Sequence, residues 1–257
     1  MGPGNDERDA EAIAEAATRP TMRFVPLKEA AQLDMQALHR ARERLVAERT
    51  ALINQMRALL LERGIVLPQR RQSLATWVDA PVADGEPDPL SPRIRLLVTD
   101  MRSEWAELDR RIGVFDDEFL ASARQDEAAR RAATVPGIGP INATALVAAV
   151  GDASAFRSAR DLAAWLGLVP RQATTGGRPK LLGITKRGSR YLRKNLIHGA
   201  RAVLPRLAAM DTRLGHWLRD LLARAHKNTV VVALANKLAR IVWAVLARGR
   251  TYAAAVS

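Results

Sequence analysis

The sequence predicts a mainly α-helical fold: a long, coiled-coil-like helical arm, then a basic helical domain with a helix-hairpin-helix-like turn and a short β-hairpin. Three observations lead there. Two long stretches repeat apolar residues at helical spacing. The turn Val135-Pro-Gly-Ile-Gly-Pro140 opens a helix of small residues, and two short extended segments flank a Thr-Thr-Gly-Gly turn in otherwise helix-periodic sequence.

The opening, Met1 to Pro26, holds the Ala/Glu-rich run GNDERDAEAIAEAATRP. It suits a helix ending near Arg19, because Pro20 disfavours the α conformation in the residue before it. Leu27 to Arg63 reads as one helix, with Leu38, Leu45, Leu52 and Leu59 recurring every seven residues and Gly64 as its stop. Residues 65–90 contain Pro68, Pro81, Pro87 and Pro89 and predict a long connection with at most a short helix near Leu74 to Val78. A second long helix, Arg93 to Arg131, starts at Ser91 and Pro92. Its Val98, Met101, Trp105, Leu108, Ile112, Phe115 and Phe119 alternate spacings of three and four, which is a heptad seam. The two helices can pair within the chain or with another chain. So narrow a seam leaves apolar edges, and it predicts a self-associating arm, dimer or tetramer, with an ordinary helical hairpin as the alternative.

Beyond the arm, Ile141 to Val150 is a small-residue helix. A glycine turn opening a helix offers free N–H groups and the positive end of the dipole to an anion. Gly137 and Gly139 are therefore candidate nucleic-acid contacts, and a tight interhelical turn is the plainer alternative. Ser158 caps a helix running to Trp165, with Gly167 at its end. Leu168 to Arg171 and Lys180 to Ile184 are the extended segments. Ser189 to Ala209, Asp211 to Arg224 and Thr229 to Ala247 complete the helices. Leu218, Leu221, Val230, Leu234, Leu238 and Val242 form an apolar stripe that predicts core, and Trp217 and Trp243 belong with it.

The net charge of +13 is unevenly spread. From Ala133 onward there are 20 Lys/Arg and 4 Asp/Glu, while the preceding part is slightly acidic. An excess confined to one half is the footprint of a partner whose phosphates are neutralised. No run of about 18 or more apolar residues suggests a membrane span, and the chain reads as cytoplasmic and nucleoid-associated. Without cysteine there are no disulfides or thiolate metal sites, and His39, His198, His216 and His226 lack ligand spacing. These histidines are expected to be structural or superficial.

The richest stretch is Gly167 to Leu196, GLVPRQATTGGRPKLLGITKRGSRYLRKNL. Thr174 and Thr175 supply hydroxyls, and Gly176 and Gly177 permit close backbone approach to a partner. Arg178, Lys180, Lys186, Arg187, Arg190, Arg193 and Lys194 follow closely. A hydroxyl in a cationic turn suits a phosphodiester, either as nucleophile or as a hydrogen-bond donor without chemistry of its own.

The segment from Val135 to about Leu204 resembles the C-terminal domain of the insertion-sequence-110 transposase family, including its 1111-type and 116/902-type branches. The heptad helices resemble that family's middle region, and GNDERDAEAIAEA resembles the end of its RuvC-like α/β nuclease domain. The resemblance implies three parts: a RuvC-like remnant over residues 1–26, a helical arm over 27–132 and a basic transposase domain over 133–257. It also implies DNA recombination by a mobile element, with a hydroxyl nucleophile forming a covalent DNA intermediate. Asp6 and Asp9 match the last two acids of the family's metal-binding set, which implies Mg²⁺, though two acids alone are expected to hold it weakly. The family's serine nucleophile corresponds to Thr175 or, in another register, Thr174, and Arg178 stands where many members have lysine. The expectation is a truncated transposase, inactive alone, acting on DNA and in some family members guided by RNA. The competing reading is a non-catalytic, dimeric DNA- or RNA-binding protein.

Overall fold

The two heptad stretches fold back on one another. The computed structural model describes residues 5–20, 26–82, 87–175 and 178–253. These form ten α-helices and one two-stranded antiparallel sheet. Helix α1 (Asn5–Thr18) is exposed along nearly its whole length. Helix α2 (Ala30–Leu61) begins at a capping box between Glu29 and Gln32, and Gly64, with φ +75°, turns the chain away after it. Helix α3 (Arg71–Asp79) is the short helix of the proline-rich connection, longer than expected by a turn. Helix α4 (Pro92–Gln125) starts with Ser91 as N-cap and Pro92 in the first turn.

Ion pairs from Arg42 to Asp116 and from Arg49 to Asp109 fix α2 and α4 as antiparallel neighbours. Val98, Met101, Trp105, Leu108 and Ile112 are buried against Leu45, Leu52, Ile53, Met56 and Leu60, and Leu74 and Leu90 join the cluster. The seam closes within the chain, as in the helical-hairpin alternative. The apolar edge that was to recruit a second chain is covered by the chain's own α2 and α3.

The second long helix is also shorter than its periodicity predicts. It stops at Asp126, whose carboxylate leaves α4 and accepts the Ala129 N–H at 2.9 Å, starting helix α5 (Glu127–Ala133). Helix α6 (Pro140–Val150) follows the glycine turn, a 3-10 turn spans Ala153–Ala155, and α7 (Ala159–Trp165) carries a Ser158/Asp161 capping box. Strands β1 (Pro170–Thr175) and β2 (Arg178–Ile184) extend further toward the glycine pair than the sequence suggests. Helices α8 (Arg190–Ala209), α9 (Arg213–Arg224) and α10 (Lys227–Arg248) complete the chain.

A second core gathers α5 to α10, with Leu162, Leu196, Leu218, Leu234 and Val242 among its buried members. Helix α10 is long and apolar enough to cross a membrane, but its Val230, Leu234, Leu238 and Val242 are fully buried in that core. The arm docks on this body through α6. Lys28 Nζ and Gln36 Nε2 donate to the last carbonyls of α6, at Ala149 and Ala148 (2.8 and 2.7 Å).

Candidate nucleic-acid interface

The hairpin is held at its base. Thr185 and Lys186 donate backbone N–H groups to the carbonyls of Val169 and Gly167, and Asn236 of α10 donates to Leu168. Pairing then runs through Gln172↔Leu181, Ala173↔Lys180, Thr174↔Pro179 and Thr175↔Arg178, after an irregularity between Pro170 and Gln172. Gly176 and Gly177 lie outside the described residues. Thr174 is exposed, and its hydroxyl accepts from Gln172 Nε2 at 3.2 Å.

The loop after the hairpin is closely packed. Lys186 is the one non-glycine residue among those described with positive φ (+58°), and Gly167 and Gly188 share that left-handed backbone. A Cβ on Gly188 would overlap the Trp165 carbonyl, and one on Gly167 would overlap the backbone of Arg187. Arg193 locks the crossing from inside. Its guanidinium, 9% exposed, donates to the carbonyls of Leu166 (3.1 Å) and Arg187 (2.8 Å). Its expected place among nucleic-acid contacts is therefore corrected: those protons are committed to the loop that displays Lys186 and Arg187. Both of these are exposed, as are Lys180 and Arg190.

Gly137 is likewise placed for packing. Its φ is +83°, and a Cβ there would strike Val203 and the Gly199 backbone of α8, while Asn142 Nδ2 donates to its carbonyl. Gly139, the N-cap of α6, has open space around it. Lys194 reaches back to the arm and pairs with Glu43 at 2.7 Å. Among the described residues it is the only Lys or Arg beyond residue 133 that is ion-paired to a carboxylate. Arg190, Lys194 and Arg201 share one face of α8 at spacings of four and seven.

Under this surface, His39 of α2 joins arm to body. It stacks on Phe119 with ring centroids 4.0 Å apart. Thr144 spends its hydroxyl proton on the Pro140 carbonyl, so His39 Nε2 donates to Thr144 and Nδ1 accepts from the Tyr191 hydroxyl. Burial, with the Arg42 charge adding to it, pushes the His39 pKa down to about 4, and burial raises that of Tyr191. Two of the other histidines serve locally. His216 contacts Asp211, and His226 accepts from the Asn228 N–H to start α10.

Asp6 and Asp9 sit exposed on α1. Among the described residues no three His, Asp or Glu side chains converge on a common point. That donor set does not fit a divalent metal centre, which needs more oxygen ligands than one helix face supplies.

A family model described as "Transposase IS116/IS110/IS902 family" matches residues 129–214, and a second transposase model matches residues 4–64. A probable family 20 transposase of Pseudomonas aeruginosa is 47% identical over 98% of this chain and 74% of its own length. The chain belongs to the IS116/IS110/IS902 transposase family. The transposase of element IS1111A from Coxiella burnetii is 43% identical over 96% of this chain and 68% of the relative. That of IS1328 from Yersinia enterocolitica is 42% identical over 96% and 73%. The first family match covers the hairpin, the loop after it and α8, and the second covers Asp6, Asp9 and α2. Sequence reasoning missed the arm's share of the basic surface. Arg40 lies on α2, in the nearly neutral half, and only the docking of α2 on α6 brings it beside the body.

Proposed function

We propose that this transposase acts on DNA in the transposition of an insertion sequence. Its basic half, residues 133–257, grips the sugar–phosphate backbone. The observation that carries the reading is the uncompensated cationic surface: Lys180, Lys186, Arg187, Arg190 and Arg201 are exposed and, among the described residues, have no carboxylate partner. A protein gains nothing from such repulsion unless a polyanion relieves it. The α5–α6 turn serves as a helix-hairpin-helix-like grip, in which Gly137 shapes the turn and Gly139 leaves the start of α6 open. The arm acts as a coiled-coil-like spacer, and α1 belongs to a RuvC-like domain.

The hairpin tip supplies the chemistry. The hydroxyl of Thr175, or of Thr174 beside it, attacks a scissile phosphorus. A phosphothreonine ester forms, the bond from phosphorus to the departing deoxyribose oxygen breaks, and that oxygen takes up a proton. Arg178 and Lys180 balance the charge that builds on the phosphoryl oxygens. No step is assigned to a metal, because Asp6 and Asp9 alone do not make its site.

Fluorescence anisotropy with a labelled duplex tests the grip. Changing Lys180, Lys186, Arg187 and Arg190 together to Gln is expected to weaken binding by about tenfold or more at physiological salt. Unchanged affinity would remove the basis of the reading.

A further inference from the structure

The junction of arm and body encloses a cavity of about 250 Å³ that the backbone grip does not use. Arg40 and Lys28 face it from the arm side, and Trp165, Ser189 and Tyr191 from the body. This is below the range of about 300–1,000 Å³ usual for drug-sized ligands, so its occupant is small or is one unit of a chain.

Trp165 makes the cavity unusual. Of the five tryptophans it is the one that is exposed, at 40%, while Trp105 is buried and the other three are partly buried. It is nevertheless held firmly. Phe156 packs edge-on against it with centroids 5.7 Å apart, and Gly188 rests on its carbonyl. An indole braced by Phe156 on a backbone pinned by Gly188, and left open to water, is a stacking platform prepared at little entropic cost. The charge around it is positive and available. The Arg40 side chain is exposed and, among the described residues, makes no hydrogen bond or ion pair. The nearby carboxylate, Glu43, is neutralised by Lys194. Lys186, Arg187 and Arg190 flank Ser189 and continue the positive surface to the hairpin.

We propose that this cavity receives an unpaired nucleotide of a DNA strand, its base stacked on Trp165 and its phosphate held by Arg40. A flat aromatic face beside free cations is the pairing that single strands use, and it excludes a stacked base pair, whose faces are already covered. The assignment rests on the reading that the basic half binds DNA. It adds that a strand opened near the hairpin is caught at the arm–body junction.

The test compares a labelled thymidine dodecamer with a labelled duplex, using the full chain and its Trp165→Ala, Trp165→Phe and Arg40→Gln variants. The dodecamer is expected to quench tryptophan fluorescence in the unaltered protein and not in Trp165→Phe. Its affinity should fall about tenfold in Trp165→Ala and recover in part in Trp165→Phe. Arg40→Gln, a surface change, should also weaken it, and duplex affinity should change less than about twofold in the Trp165 variants. Full quenching in Trp165→Phe, or equal loss of duplex and dodecamer binding in Trp165→Ala, would overturn the pocket while leaving the backbone grip standing. Absence of duplex binding by the unaltered protein would overturn both. Tighter, Trp165-dependent binding of a uridine dodecamer would overturn the assignment to DNA.

Discussion

Arg193 and Arg187 are six residues apart in one basic run, and they do opposite work. Arg193 donates to two backbone carbonyls from a buried position, whereas Arg187 offers its side chain to solvent. Arg193→Ala is expected to cost about 3 kcal/mol in chemical denaturation, since it strands buried acceptors. Arg187→Ala should leave the denaturation midpoint unchanged and weaken DNA binding instead. His39 sets a second residue-scale expectation. Its folded pKa of about 4 lies below the ordinary imidazole value of 6.5, so the unfolded chain takes up a proton first as pH falls. The stability it contributes is whole above pH 6.5 and is lost progressively between there and about pH 4, on the order of 3 kcal/mol. Melting temperatures measured across that window should fall in the unaltered protein and fall less in His39→Gln, which keeps polar contacts without the titration.

Where elements meet, small residues and the arm hairpin decide the geometry. Gly199 of α8 crosses the turn at Gly137 so closely that a Cβ would overlap the Gly137 carbonyl oxygen. Gly199→Ala should therefore destabilise by about 2 kcal/mol, through backbone displacement rather than lost contacts. Leu108, 6% exposed, sits between α2 and α4, and Leu108→Glu is expected to cost more than about 3 kcal/mol by burying a charge. Sedimentation should show no accompanying change of assembly state, because the seam it disrupts is internal. Most helices were legible from periodicity and caps: Ser91 and Ser158 each stand at the N-cap that the sequence assigns them. The partner of the seam was not. A heptad repeat reports that a face is buried and is silent about which chain buries it, since the closing contacts lie between α2 and α4, far apart in sequence. The candidate surface was legible in its charge but not in its orientation. Nothing local marks Arg193 as inward among outward neighbours, and only the fold places Arg40 beside Trp165.

At the scale of the whole molecule, the charge asymmetry and the two cores coincide. The arm, nearly neutral, pairs its charges in networks such as Arg42–Asp116 and Arg102–Asp79, while the second core carries positive charge with few acids to answer it. In the proposed function that difference assigns the body to DNA and the arm to positioning it. The central claim is that exposed, unpaired cations bind the DNA backbone, and the association constant for a random-sequence duplex as a function of salt tests it most directly. With five of these cations, Lys180, Lys186, Arg187, Arg190 and Arg201, each meeting a phosphate, a plot of log K against log salt is expected to fall with a slope near about −4.5, reduced by about two in a Lys186→Gln, Arg187→Gln double variant. Tight binding with a slope shallower than about −1, unaltered in the double variant, would contradict the account.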